Sequence, residues 1–111
     1  MIQFDLKNRV AVITGGAQGF GFSIAERFIQ SGAIVIIWDL DEEAAKKAEE
    51  KLKSDNFNYQ ILDVKSPDQI EQNLKEVVKK FNKIDIFINN AGIAGLNTTV
   101  PKYPLDEWKK V

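Results

Sequence analysis

Short apolar runs alternate with longer mixed stretches along this chain. Four of the runs are rich in β-branched and other apolar residues, and each predicts a β-strand. The second run contains no polar position until its end, which indicates a strand buried on both faces, as in a parallel sheet. The predicted strands are Val10–Ile13, Ile34–Trp38, Phe57–Leu62 and Ile84–Ile88.

The stretches between these runs carry apolar residues at helical spacing, with charged residues on the opposite face. The apolar stripes of the three predicted helices lie within Ile24–Ile29, Ala45–Leu52 and Ile70–Phe81. Ser66-Pro67-Asp68-Gln69 precedes the third stripe and predicts an N-cap serine, proline at the first helical position and a capping-box glutamine. After an irregular stretch, Asn90–Tyr103, a fourth helix is expected to begin near Pro104–Val111.

The predicted order β-α-β-α-β-α-β is typical of an α/β protein, with a parallel sheet and helices on both faces. Right-handed crossovers and a return after the third strand give the strand order 3-2-1-4, part of a Rossmann-type doubly wound sheet. Ligands bind in such sheets where the strand order reverses. Here that point is the crevice at the carboxyl ends of strands one and four.

Composition narrows the possible chemistry. The 111 residues predict a single domain, 1–111, and the formal net charge of −1 gives no reason to expect nucleic acid or a membrane as a partner. The chain has no cysteine and no histidine, which excludes disulfides, thiolate or imidazole metal sites and histidine-based triads, so no metal is expected. The amino-terminal residues do not resemble a signal peptide, and a cytoplasmic location is expected.

Glycines at positions 15, 19 and 21 follow the first predicted strand. Gly15 is suited to the tight turn out of the strand, Gly19 to close approach of a pyrophosphate, and Gly21 to close packing of helix on sheet. The positive end of the next helix would face the anion. A glycine-rich turn with no ligand remains the alternative, whereas a Walker phosphate loop is excluded because no Gly-Lys-Ser/Thr follows.

The motif Thr14-Gly-x-x-x-Gly-x-Gly resembles the opening of the short-chain dehydrogenase/reductase family. Further matches follow in the family's order: Asp39 after strand two, Asp63-Val64 after strand three, Asn89-Asn90-Ala91-Gly92 after strand four, and Trp108. Essentially the whole chain takes part in the resemblance. It implies the cofactor-binding residues Gly15, Gln18, Gly19, Phe20, Gly21, Asp39, Leu40, Asp63, Val64, Asn90, Ala91 and Gly92.

The resemblance also implies a role for each acidic residue in that set. The Asp39 carboxylate would accept hydrogen bonds from the adenosine ribose and repel a 2′-phosphate, which favours NAD over NADP. The alternative is that Asp39 or Asp41 only caps the next helix. Asp63 would meet the adenine amino group beside Val64, with a solvated turn aspartate as the alternative. Thr14 is expected to bond across to Asn90.

The family's catalytic pair, a tyrosine with a lysine four residues later, is not found in these residues. Asp63 and Glu107 stand four positions after Tyr59 and Tyr103, the two tyrosines of the chain. The chain is therefore expected to be the cofactor-binding part of an oxidoreductase that interconverts a secondary alcohol and a ketone, truncated before the catalytic segment and inactive alone. The implied parent is a homo-oligomer acting on a small carbonyl or alcohol, resembling 3-oxoacyl-thioester reductases and sugar or polyol dehydrogenases equally. A non-enzymatic dinucleotide-binding module and an S-adenosylmethionine-dependent methyltransferase are the alternatives.

Overall fold

The computed structural model describes residues 5–90, which form four strands and three helices in strict alternation. The predicted fourth helix lies outside the described residues. No helix within residues 5–90 is long and apolar enough to cross a membrane. The elements are β1 (Val10–Thr14), α1 (Gly19–Gln30), β2 (Ile34–Asp39), α2 (Glu42–Leu52), β3 (Phe57–Ile61), α3 (Pro67–Phe81) and β4 (Ile86–Asn89).

All four strands are parallel and lie in the order β3-β2-β1-β4, which confirms the predicted strand order. β1 pairs with β2 on one side and β4 on the other, so the strand order reverses at β1. At the carboxyl end of β1, Thr14 lies opposite Trp38 of β2 and Asn89 of β4. The crevice predicted from the sequence is therefore formed by the loops that leave β1 and β4.

Residues on the two faces of each strand pack against different helices. Val35 and Ile37 of β2 pack with Ala25 of α1 and Ala45 of α2, while Ile36 and Trp38 on the opposite face pack toward α3. Residues Val35 to Trp38 are at most 1% exposed, as the uninterrupted apolar run predicts. Helices therefore pack on both faces of the sheet beneath the crevice.

β4 begins later than predicted, at Ile86 rather than Ile84, because Asp85 occupies the amino end of the strand pair. Its carboxylate accepts the N–H of Val10 (2.8 Å), and its own N–H donates to the Val10 carbonyl (2.8 Å). Arg9 and Lys83 face the same carboxylate at 3.6 and 3.1 Å. Partial burial alone would raise the pKa of Asp85, but the Val10 hydrogen bond and the two cations outweigh it and hold the pKa below its ordinary value of 3.8.

Asp85→Asn is expected to lower the free energy of unfolding at neutral pH. Because the pKa of Asp85 is lower in the folded chain than in the unfolded one, ionised Asp85 stabilises the fold above pH 3.8, and this contribution is lost as the pH falls through the folded-state pKa. The gap between variant and wild type should therefore close in acid, which urea unfolding at a series of pH values measures. Asp55→Asn, at an exposed turn, is the control. A gap that stays constant down to about pH 2 would contradict this prediction.

Side chains cap the starts of α2 and α3. Asp41 accepts the N–H of Ala44 (3.0 Å) before α2, and the hydroxyl of Ser66 accepts the N–H of Gln69 (3.3 Å) before α3. Half of the predicted capping box is thus confirmed. The other half is wrong, because the Ser66 N–H donates to the Asp63 carbonyl (2.9 Å), which leaves the Gln69 side chain free to bond elsewhere.

Candidate functional site

Two asparagines close the crevice between β1 and β4. The hydroxyl of Thr14 donates to Oδ1 of Asn89 (3.1 Å), its register partner, rather than to Asn90 as expected. The next residue, Asn90, donates from Nδ2 to the Gly15 carbonyl (3.1 Å). Successive residues of a strand point to opposite sides, so the first asparagine ties the strands together and the second holds the glycine loop.

The glycine loop, residues 15–18, and the first residue of α1 include backbone conformations that suit glycine. Gly15 has φ 64° and Gly19 has φ 57°, in the left-handed region. A Cβ placed on Gly19 would meet nothing within 4 Å, so this side of the loop is open to a ligand. A Cβ on Gly21 would collide with the Gly15 carbonyl oxygen and lie 2.6 Å from Nδ2 of Asn90. The open space at Gly19 and the close contacts at Gly21 are the geometries that the expected roles require, and the pyrophosphate contact itself stays a prediction.

α1 differs from the other two helices because no side chain caps its start. Gln18 occupies the N-cap position and makes no side-chain cap hydrogen bond, and the first turn contains no acidic residue. Within residues 5–90, the N–H groups of Gly19, Phe20 and Gly21 have no described acceptor. A helix start with bare N–H groups and a positive dipole end is suited to an anion.

Asp39, at the end of β2, connects the glycine loop to the loop before α2. Its Oδ2 accepts the N–H of Ala17 (3.2 Å), and its Oδ1 accepts the N–H of Asp41 (3.1 Å). Asp41, not Asp39, caps α2, so the capping alternative for Asp39 is wrong. Each carboxylate oxygen can accept a second hydrogen bond, so Asp39 can still receive hydroxyl donors from a ligand.

Asp63 and Val64 lie on the neighbouring loop, directly after β3. The Asp63 carboxylate accepts the N–H of Lys65 (2.8 Å) through Oδ1. Val64 packs against the cluster that contains Trp38 and Leu62. Since the Leu62 N–H donates to the Asp39 carbonyl (3.1 Å), the backbone joins this loop to the end of β2. Asp39 and Asp63 therefore lie at the carboxyl ends of two neighbouring strands, β2 and β3.

Two large apolar side chains at this edge lie in solvent. Phe20 in the first turn of α1 is 70% exposed, and Leu40 after β2 is 68% exposed. Both are in the set that the family resemblance implied. Apolar surface left exposed in this way beside polar hydrogen-bonding groups is suited to a ligand with flat rings.

A groove of about 400 Å³ runs between the start of α1 and α2. Its charged lining residues are of both signs: Asp41, Glu43, Lys47 and Lys51. Gln18 and Gly19 also line it, so the groove continues from the glycine loop. Lys47 and Lys51 of α2 therefore share the groove with the carboxylates of Asp41 and Glu43.

Four residues hold the loops at the carboxyl ends of the strands but were not among the predicted site residues: Gly16, Ala17, Gln69 and Asn89. A Cβ on Gly16 would overlap the side chain of Ile37, so this glycine lets the loop lie against β2. Asn89 was named only in the family match and Gln69 only in the capping box. The local sequence does not show the partners of these four residues, because the contacts depend on how the loops meet the neighbouring strands and α3. The predicted Ala91, Gly92 and Trp108 lie outside the described residues, and within residues 5–90 no acidic cluster assembles that could hold a metal.

Comparison with known proteins places this chain among the short-chain dehydrogenases. Residues 9–111 match the short chain dehydrogenase family. The chain is 41% identical over 116 aligned residues to a probable NADP-dependent mannitol dehydrogenase of Yarrowia lipolytica, covering 100% of this chain and 41% of that protein. It is 33% identical to the 3-oxoacyl-[acyl-carrier-protein] reductase FabG of Chlamydia muridarum, covering 96% of this chain and 44% of the relative.

Solved structures show the same fold. A 3-ketoacyl-(acyl-carrier-protein) reductase from Brucella melitensis, complexed with NADH, aligns with a TM-score of 0.75 at 30% identity. The alignment covers 94% of this chain and 43% of that one. A short chain dehydrogenase from Bacillus anthracis aligns with a TM-score of 0.75 at 34% identity, over 78% of this chain and 36% of that chain. The chain thus spans less than half the length of each of these relatives.

Proposed function

The chain belongs to the short-chain dehydrogenase/reductase family, and from this premise we propose that residues 1–111 form the NAD-binding part of an oxidoreductase that interconverts a secondary alcohol and a ketone. The family uses nicotinamide dinucleotides, and membership removes the methyltransferase alternative. The nicotinamide, when bound, supplies or accepts the hydride. The described residues bind and orient the dinucleotide.

One observation carries the proposal: the uncapped start of α1 lies beside the open glycine loop. The N–H groups of Gly19, Phe20 and Gly21 would donate to the pyrophosphate, and the helix dipole would favour its charge. Asp39 would receive the adenosine ribose hydroxyls, with Leu40 and Val64 beside the base. The proposed binding set is completed by Gly15, Gln18, Asp63 and Asn90, together with Ala91 and Gly92 beyond the described residues.

Dinucleotide binding tests the proposal. Calorimetric titration of the complete protein with NADH is expected to show one site per chain, and ADP-ribose should compete because it carries the pyrophosphate and ribose but no nicotinamide. Introducing a negative charge at the helix start, by Gln18→Glu, should weaken both ligands because the new carboxylate would compete with the pyrophosphate for the bare N–H groups and repel it. Absence of binding by wild type would overturn the proposal.

NAD is expected to bind better than NADP by at least roughly tenfold, or about 1.4 kcal/mol. The Asp39 carboxylate would accept the ribose hydroxyls of NAD, and it would repel the 2′-phosphate of NADP. Titration of the complete protein with both cofactors measures the ratio. Equal affinities would contradict the prediction. In that case Lys47→Ala would show whether a lysine of the adjoining groove compensates for the carboxylate.

A polypeptide of these 111 residues alone is expected to show no dehydrogenase turnover, because its tyrosines lack the lysine of the family pair. Oxidation of NADH with a panel of aliphatic ketones, 3-oxoacyl thioesters and ketoses measures it. Turnover proportional to protein concentration would contradict the prediction. The same assay on the complete protein distinguishes an oxidoreductase from a binding module without enzymatic activity. Analytical sedimentation of the complete protein tests separately whether it is a homo-oligomer.

A further inference from the structure

A side chain from the first turn of α3 holds the loop after β3. The N–H of Asp63 donates to Oε1 of Gln69 at 2.8 Å. The sheet offers no acceptor at this point, because the Leu62 N–H takes the Asp39 carbonyl (3.1 Å) and β2 ends at Asp39. Gln69 therefore supplies the acceptor for a backbone N–H that has left the sheet.

The hydrogen bonds around Ser66 explain why the Gln69 side chain is available to accept the Asp63 N–H. In a complete capping box its side chain would reach back to the Ser66 N–H. Here that N–H donates to the Asp63 carbonyl (2.9 Å), while the Ser66 hydroxyl still accepts the Gln69 N–H (3.3 Å). The glutamine is thus anchored by its own backbone and directs its amide oxygen to Asp63. Only the oxygen of the amide can accept a hydrogen bond, which fixes its orientation.

Asp63 is held at three points and keeps one acceptor free. Its N–H is held by Gln69, its carbonyl by Ser66, and its Oδ1 by the N–H of Lys65 (2.8 Å). Its Oδ2 has no described partner within residues 5–90. This half-buried carboxylate follows the strand next to Asp39, on the side of the loop where Val64 packs near Trp38.

We propose that Gln69 is a positioning residue for base recognition: it holds Asp63 so that the free carboxylate oxygen accepts the exocyclic amino group of adenine. The inference rests on the proposed dinucleotide function and extends it to a residue that does not touch the ligand. A neutral amide is suited to this task, because a glutamate in the same place would put a second negative charge beside Asp63. Adenine presents a donor to this oxygen, whereas hypoxanthine presents a carbonyl oxygen that the carboxylate repels.

The test compares two ligands that differ at that one group. The complete protein is titrated with its preferred reduced cofactor, NADH or NADPH, and with the matching nicotinamide hypoxanthine dinucleotide. Wild type is expected to favour the adenine form by roughly tenfold. Gln69→Met has nearly the same length but no acceptor oxygen, and it should lose most of this preference, chiefly through weaker binding of the adenine form. Asp63→Ala should lose it as well.

Further variants separate positioning from general stability. Adding Gln69→Met to Asp63→Ala should change the preference no further, since the two residues act as a unit. Gln69→Glu keeps an acceptor but adds a negative charge beside Asp63, so it should keep more of the preference than Gln69→Met and less than wild type. Gln72→Met, on an exposed position of the same helix, is the matched control and should behave as wild type.

Each contrary outcome overturns a defined claim. If wild type binds neither dinucleotide, the proposed function fails and the inference fails with it. If wild type and Gln69→Met show the same preference while Asp63→Ala loses it, dinucleotide binding stands and the positioning role is wrong. Equal weakening of both dinucleotides by Gln69→Met would show a structural role only, which also overturns the inference.

Discussion

Replacing Gly21 with alanine is expected to lower the free energy of unfolding by about 2–3 kcal/mol and to weaken dinucleotide binding with it. The added Cβ would overlap the Gly15 carbonyl oxygen and lie 2.6 Å from Nδ2 of Asn90. The first partner is backbone and the second side chain is hydrogen-bonded to that same carbonyl, so neither can move without opening the turn. α1 would have to move away from β1, and its N–H groups would move with it.

Denaturant unfolding and cofactor titration of the complete protein measure the two effects separately. Glu26→Ala, at an exposed position of the same helix, is the control and should change stability by no more than about 0.5 kcal/mol. Gly19→Ala is a second comparison, since it adds left-handed strain of about 1–2 kcal/mol but meets no neighbouring atom. If Gly21→Ala retains wild-type stability and affinity, the close packing of α1 does not position the loop.

Asp39→Ala is expected to weaken NAD binding by roughly tenfold or more, about 1.4 kcal/mol, and to affect NADP less. NAD binding weakens because the acceptors for the ribose hydroxyls are lost. NADP binding is affected less because the repulsion between the Asp39 carboxylate and the 2′-phosphate is lost as well. The structure adds a further consequence. Because Asp39 also accepts the N–H of Ala17, its removal loosens the glycine loop, so the variant should not bind NADP as tightly as wild type binds NAD.

Asp41→Ala is the matched control for Asp39→Ala, since it removes a neighbouring carboxylate that caps α2. It should cost about 1 kcal/mol of stability and leave the NAD to NADP ratio unchanged. Amide exchange at Ala17 reports the loop directly and should accelerate only in Asp39→Ala. An unchanged ratio in Asp39→Ala would show that this carboxylate serves the loop and does not select the cofactor.

Local patterns predicted the elements because helices and strands are short-range structures. The stripe Ile70–Phe81 gave a correct third helix, in which Leu74 and Val77 are buried. The predicted positions of the strand ends were less accurate. β1 and β2 each extend one residue further than predicted, to Thr14 and Asp39, since the sheet continues to pair them beyond the last residue of the apolar run.

Hydrogen-bond partners across the sheet could not be predicted in the same way. Asn89 and Asn90 both follow the predicted fourth strand, and because they are the same residue type, the sequence does not show which of them accepts the Thr14 hydroxyl. A shift of one residue in register would exchange their sides, and register depends on packing against both layers of helices. Gln69 was assigned to the capping box for a related reason, because nothing local shows that the Ser66 N–H bonds to Asp63.

The sequence by itself determined the alternation of strands and helices and the glycine loop after the first strand, and the Rossmann-type pattern of that alternation then predicted the strand order 3-2-1-4. Periodicity, chain chirality and the backbone freedom of glycine are properties of short segments, so they can be inferred from neighbouring residues. Tertiary structure alone decided that Asp39 holds the glycine loop, that Asn89 meets Thr14 and that Gln69 holds Asp63. Those bonds depend on the positions of atoms that neighbouring strands, loops and helices bring within 3.2 Å, and packing on both faces of the sheet sets these positions.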